Sequence, residues 1–164
     1  MEIKMLKEIK ITKEEKINIL GITLIEDEEY INNNDIISFL GERWWTKTPC
    51  DVSWGTGKYY VRVVEDHGGV PNAGVNSYLA VRPALIVSSD SKTIKRGDKI
   101  YFGGISWTAI TGVNSILLLA DESIGKEQFR AGIRAKDAND YEKSKIKKWL
   151  EEWYEDFLTN YKAS

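Results

Sequence analysis

Residues 44–49 read WWTKTP, and Cys50, Asp51, Val52, Ser53 and Trp54 follow. Two adjacent tryptophans running into a Thr-Lys-Thr-Pro break put two of the largest side chains into one short extended segment. Successive side chains of a strand point to opposite faces, so Trp44 and Trp45 cannot form one flat stacking surface. One is expected to anchor the core while the other backs the segment that follows. Pro49 ends the strand. The chain then enters a glycine-rich stretch, so the pair marks the joint between a scaffold and its loops.

Downstream, Gly55, Gly57, Gly68, Gly69 and Gly74 punctuate short β-rich runs, and no helical period survives. Lys58–Val64 reads as a strand, and Val75–Val87 holds at least one more. Asp66–Gly69 and Pro71–Gly74 read as tight turns. Residues 88–98 form a polar connection. Lys99–Phe102 and Ile105–Ile110 follow as strands around Gly103-Gly104, and the unbroken apolar run of Ser115–Ala120 predicts a buried central strand. Ile146, Trp149, Leu150, Trp153, Tyr154, Phe157 and Leu158 fall on one helical stripe, with Asp140 or Ser144 to cap its start. Upstream of the tryptophans, Thr12–Glu15 fits a capping box for a short helix carrying Ile17, Ile19 and Leu20 and ending at Gly21. Ile22–Ile25 then predicts a brief strand. Glu26–Glu29 supplies the acidic first turn of a second short helix that breaks at Asn32–Asn34.

With 164 residues, 42% of them hydrophobic and 29% charged, the chain is expected to form one domain. A net charge of −2 gives no reason to expect nucleic acid as a partner, and no apolar run is long enough for membrane insertion. The first sixteen residues lack the apolar core of a signal peptide, so the expected location is a host-cell cytoplasm or a virion. One cysteine, Cys50, and one histidine, His67, exclude an internal disulfide and most zinc and triad chemistry. Gly55-Thr-Gly57 lacks the phosphate-loop pattern, and Asp51, Asp66 and Asp90 are too scattered for an oxygen cage. No catalytic residue, metal site or cofactor is therefore expected.

Several stretches together resemble a bacterial and phage family, a domain of unknown function with a C-type-lectin-like fold. They are Gly97–Trp107, with its Gly-Asp and Phe-Gly-Gly elements; Ile116–Ala120; Ile146–Leu150, with its Lys-Trp-Leu core; Trp44–Pro49; and Val81–Leu85, reading VRPAL. In the family the Gly-Asp segment opens the domain and VRPAL closes it, whereas here the order is reversed. The resemblance thus implies an α+β, C-type-lectin-like fold that is circularly permuted: residues 1–87 the family's C-terminal half, 88–98 the connection, and 99–164 its N-terminal half. Either one chain closes on itself, or half-domains pair in a swapped dimer. Lys47 stands where the family more often has arginine, keeping the charge without the two-pronged geometry. The cysteine pair of lectin-fold enzymes and the Glu-Pro-Asn or Gln-Pro-Asp loops of calcium-dependent sugar binding do not occur.

What remains is binding. Trp54, Tyr59, Asn72, Asn76 and Tyr78 mix rigid aromatic area with short polar groups, the composition of a recognition surface. The plainer alternative is that Trp54 and Tyr78 cover the sheet. Trp44, Trp45, Pro49, Arg82, Trp107, Trp149 and Trp153 are expected to be structural, with Arg82 held extended before Pro83 and paired with an acidic partner. The expectation is a phage-derived recognition module, virion-associated or binding a host surface, that takes a protein or cell-surface ligand and forms homo-oligomers or part of a larger assembly. The alternative is a small intracellular phage effector that inhibits a host or defence protein.

Overall fold

The computed structural model describes residues 17–50, 59–88, 93–113, 115–130 and 138–163. The apolar run becomes β9 (Ile116–Ala120), the middle strand of a five-stranded antiparallel sheet. Its neighbours are β6 (Ala84–Val87) and β8 (Ile105–Thr111); β1 (Ile19–Thr23) lies outside β6 and β7 (Lys99–Phe102) outside β8. The β7–β8 hairpin turns on Gly103 and Gly104, which take φ of +62° and +79° at no steric cost to themselves.

A second five-stranded sheet runs in the order β10-β5-β2-β3-β4. It joins β2 (Trp44–Pro49), β3 (Tyr60–Val64), β4 (Asn72–Gly74), β5 (Tyr78–Ala80) and β10 (Lys126–Gln128). β2 pairs parallel with β5 at Trp44 and Ala80, and antiparallel with β3. The two helices are α1 (Asp27–Asn33) and α2 (Lys145–Ala163), with a short 3-10 turn at Tyr141–Lys143. Ser144 caps α2, its hydroxyl accepting from the Lys147 N–H at 3.0 Å, while Asp140 caps the 3-10 turn instead.

The fold class is therefore corrected. The described chain is predominantly β, two five-stranded sheets with two α-helices, and not the α+β C-type-lectin-like arrangement expected. The circular permutation, inferred from the reversed order of the family motifs, was part of that lectin-like expectation. Local causes are visible. Ile19 and Leu20, expected on a helix, lie in β1, where Ile19 pairs with Val87 of β6 and Leu20 falls at an irregularity of the ladder. Residues 12–16 of the expected capping box lie outside the described residues. The Pro71–Gly74 segment is a strand rather than a turn, because β3 offers it a ladder through Tyr60, Val61 and Arg62.

One face of the first sheet packs Leu85, Ile100, Trp107 and Leu118 against Phe157 of α2. The other face packs Ala84, Ile110, Leu117 and Leu119 with Tyr30 of α1 and Trp44. The second sheet buries Trp45, Val61 and Val63 against Phe129, Tyr141, Ile146 and Leu150. Trp149 and Trp153 are partly buried flanks of that packing; Trp153 stacks on Phe157 at 5.1 Å between centroids, and Trp107 meets the same ring edge-on at 5.7 Å. Asn33 fastens α1 to the end of β8. Its amide donates to the Glu29 and Thr111 carbonyls, and its oxygen accepts from the Thr111 N–H and the Arg96 guanidinium.

Gly103 sits against α2 so closely that a Cβ there would overlap the Phe157 ring, whereas one on Gly104 would meet nothing within 4 Å. Both substitutions to Ala incur the left-handed backbone cost of about 1–2 kcal/mol. Gly103→Ala is expected to cost about 1–3 kcal/mol more from overpacking. Urea midpoints for the two variants check this; equal losses would show that the hairpin does not bear on α2.

Candidate recognition surface

The flanks of three connections meet at one end of the second sheet. The Cys50 N–H donates to the Tyr60 carbonyl at 3.0 Å and the Val75 N–H to the Tyr59 carbonyl at 2.9 Å. The Arg130 N–H in turn reaches the Val75 carbonyl at 2.9 Å. The Gln128 side chain donates to the Asn76 carbonyl, and that of Asn139 to the Tyr60 carbonyl. Backbone groups thus gather the residues that flank 51–58 and 131–137 around the 74–77 turn.

Of the residues expected to bind ligand, Tyr59, Asn76 and Tyr78 come together here. Tyr78 is 61% exposed and Asn76 is exposed, while Tyr59 is partly buried against the core. Asn72 is exposed but stands on β4, separated from β5 by two strands. Trp54 lies outside the described residues. The sequence reading omitted Tyr60, 37% exposed, and Gln128 and Asn139, which join this end only through tertiary pairing.

The tryptophans behind this end are both core: Trp44 and Trp45 are 1% and 0% exposed, on opposite faces. The Trp45 indole donates to the Glu127 carbonyl at 2.9 Å, and its ring packs on Phe129. Trp45 therefore anchors a core of its own rather than merely backing loops. Pro49 is exposed at the strand end. Arg82 is 1% exposed, with its guanidinium 4.9 Å from the Trp44 ring. The acidic residue near it, Asp121, acts through its field rather than an ion pair: the Arg82 N–H groups go to the Ala120, Ser38 and Asp121 carbonyls and the Ser38 hydroxyl.

The ladder between β2 and β3 is interrupted between Trp45 and Pro49. The Thr46 hydroxyl donates to the Arg62 carbonyl, and the Lys47 N–H turns away to the Ile25 carbonyl at 2.9 Å. Lys47 consequently stands over the start of α1, its Nζ 3.1 Å from the Thr23 hydroxyl and 5.7 Å from the Tyr141 ring centre. Open clefts of about 350 Å³ lie on either side of it. One is lined by Pro49, Asn139, Asp140, Tyr141 and Glu142, the other by Glu29, Ile86, Val113 and Leu117; Glu26 and Lys47 border both.

His67 is an exposed turn residue whose Nδ1 lies 3.1 Å from the Asp66 carboxylate, and Cys50 is part-exposed at the end of β2. Among the described residues no group of three His, Cys, Asp or Glu could hold a metal ion. No helix among them is long and apolar enough to cross a membrane.

These features define a predominantly β scaffold with one end of its second sheet gathered around the 74–77 turn. Residues 7–89, half of the chain, match the family described as Domain of unknown function (DUF6273), and the chain belongs to that family. The match contains both Trp44–Pro49 and Val81–Leu85. No curated protein and no solved structure matches the chain.

Burial pushes the Tyr141 phenol up to about 12 from its ordinary 10.0, against the weaker pull of hydrogen bonds to Thr23 and the Leu24 backbone. Below pH 10.0 both states keep the proton; from there to about 12 only the folded state does, so this contribution to stability is lost as pH rises. Arg82, pushed down by burial to about 10 from 12.5, acts in the opposite sense over the same window. The stability advantage of wild type over Tyr141→Phe is therefore expected to shrink between those two values. Urea unfolding of both proteins across alkaline pH measures it, and a constant difference would contradict this account.

Proposed function

We propose that the chain is a non-catalytic recognition module that holds a protein or cell-surface ligand at the end of its second sheet that carries the 74–77 turn. The observation that supports this reading is the gathering of Tyr60, Asn76, Tyr78 and Gln128 there by backbone bonds, with Tyr78 61% exposed. A tyrosine gives large contact area at low entropic cost, and asparagine and glutamine add adaptable hydrogen bonding. The side chains of Tyr60, Asn76 and Tyr78 are not used to hold the sheet together, which leaves them available to a partner beside the Gln128 amide that braces the turn. A phage-derived chain would use such an end either on a virion against a host surface or inside a cell against a host or defence protein.

The test compares wild type with Tyr60→Ala/Tyr78→Ala and with Tyr101→Ala, an exposed tyrosine on β7 of the other sheet. Each is immobilised and challenged with intact host cells and with host lysate. A specific partner should be held by wild type and Tyr101→Ala and weakened at least tenfold by the double variant, a loss of about 1.4 kcal/mol. Capture from cells alone would place the ligand on the surface, and capture from lysate alone inside. Binding indifferent to the two tyrosines, or no specific binding in either arm, overturns the proposal.

A further inference from the structure

We propose that the cleft between the start of α1 and the β8–β9 turn is a binding site for a free α-amino acid with an apolar side chain. The interruption of β2 places Lys47 and Glu26 side by side without joining them. Lys47 Nζ and Glu26 Oε2 are 4.0 Å apart, beyond hydrogen-bond distance. The Lys47 ammonium has three donors and makes one short bond, to the Thr23 hydroxyl at 3.1 Å. Glu26 Oε1 accepts from the Thr48 hydroxyl at 2.6 Å and the carboxylate also faces the Glu29 N–H in the capping box of α1, which still leaves part of its acceptor capacity unused on the Oε2 side that faces Lys47. A positive and a negative group, each with bonding capacity to spare, therefore border one cleft.

The remaining polar groups of that cleft are already engaged. Glu29 accepts from the Glu26 N–H with one carboxylate oxygen and from the Val113 N–H with the other. The Thr23 hydroxyl donates to the Leu24 carbonyl. An isolated anion would face Glu26 and Glu29, and an isolated cation would face Lys47. A zwitterion avoids both conflicts: its carboxylate takes the spare Lys47 donors, and its ammonium, held on the same carbon, takes Glu26 Oε2. Ile86, Leu117 and the 71%-exposed Val113 give an apolar side chain somewhere to lie. The volume of about 350 Å³ is at the lower end of what small-ligand sites use. The cleft on the other side of Lys47 fits less well, because Asp140 and Glu142 face it and its apolar lining is limited to Pro49 and Tyr141.

The test is calorimetric titration of the full chain with L-leucine as the probe. Three further ligands accompany it: 4-methylpentanoate, which lacks the ammonium; isopentylamine, which lacks the carboxylate; and glycine, which lacks the side chain. Saturable binding of leucine is expected, at least tenfold weaker for each of the other three. Lys47→Met and Glu26→Gln should each weaken leucine at least tenfold, while Arg43→Met, at an exposed ion pair with Glu65, should leave it unchanged. Thermal melting establishes that each variant is folded, and the ligand series on wild type decides the question even where a variant is not. Absence of saturable leucine binding, equal binding of 4-methylpentanoate or isopentylamine, or full retention in both folded variants overturns the proposal.

Discussion

A buried guanidinium joins the two sheets. Arg82 sits where the chain leaves β5 of the second sheet and, after Pro83, becomes β6 of the first. Its plane lies over Trp44 of the second sheet, while its N–H groups hold the Ala120 carbonyl at the end of β9 and the Ser38 carbonyl beyond α1. Removing such a charge from water is expensive, and burial accordingly lowers its pKa to about 10 against the favourable fields of Asp121 and Tyr30. At neutral pH the ion persists because fixed carbonyl dipoles and an aromatic face replace its hydration. A lysine could not satisfy this geometry, since one point of charge cannot donate in several fixed directions and also stack. The relative setting of the sheets thus depends on a group that tolerates little displacement.

The WWTKTP segment shows the same economy at shorter range. Trp44 and Trp45 follow strand alternation and serve separate cores, which fixes β2 between them. Beyond Trp45 the ladder breaks, and each polar residue finds a substitute partner: Thr46 the Arg62 carbonyl, Lys47 the Ile25 carbonyl, Thr48 the Glu26 carboxylate and the Asp27 N–H. In a regular strand Lys47 would share the face of Trp45. The break aims it at α1 and creates the clefts on either side of it.

Much of the local structure was legible because it is periodic. The apolar run of β9, the paired glycines of the β7–β8 turn, the acidic start of α1 and the aromatic stripe of α2 each follow from neighbouring residues alone. What was not legible depends on distant partners. β4, β5 and β10 are three residues each, too short for any period, and exist because a neighbouring strand offers a ladder. Ile19 and Leu20 fit a helix in isolation and a strand beside β6. The family-like motifs misled on fold class because they identify segments and leave their pairing open. Arg82 was expected to find an acidic partner; Asp121 acts on it only through its field, while its hydrogen bonds, some forty residues away in the chain, go to carbonyls and the Ser38 hydroxyl.

The candidate surface shares that split between near and far. Tyr59, Asn76 and Tyr78 could be selected by composition, whereas Gln128 and Asn139 enter through bonds spanning 52 and 79 positions. The acceptors at this end are carbonyls of Tyr59, Tyr60, Val75 and Asn76, so the side chains at those four positions are not consumed, whereas Gln128 and Asn139 donate from their side chains and are held to their identity. That arrangement separates two demands that usually conflict. The buried set, Trp44, Trp45, Arg82 and Trp107, holds the sheets; Tyr60, Asn76 and Tyr78 can change their side chains without removing the bonds that position this end, which run through backbone groups and the side chains of Gln128 and Asn139. On the proposed reading, contacts made by Tyr60, Asn76 and Tyr78 could vary at little cost in stability, while Gln128 and Asn139 stay fixed by the bonds they donate.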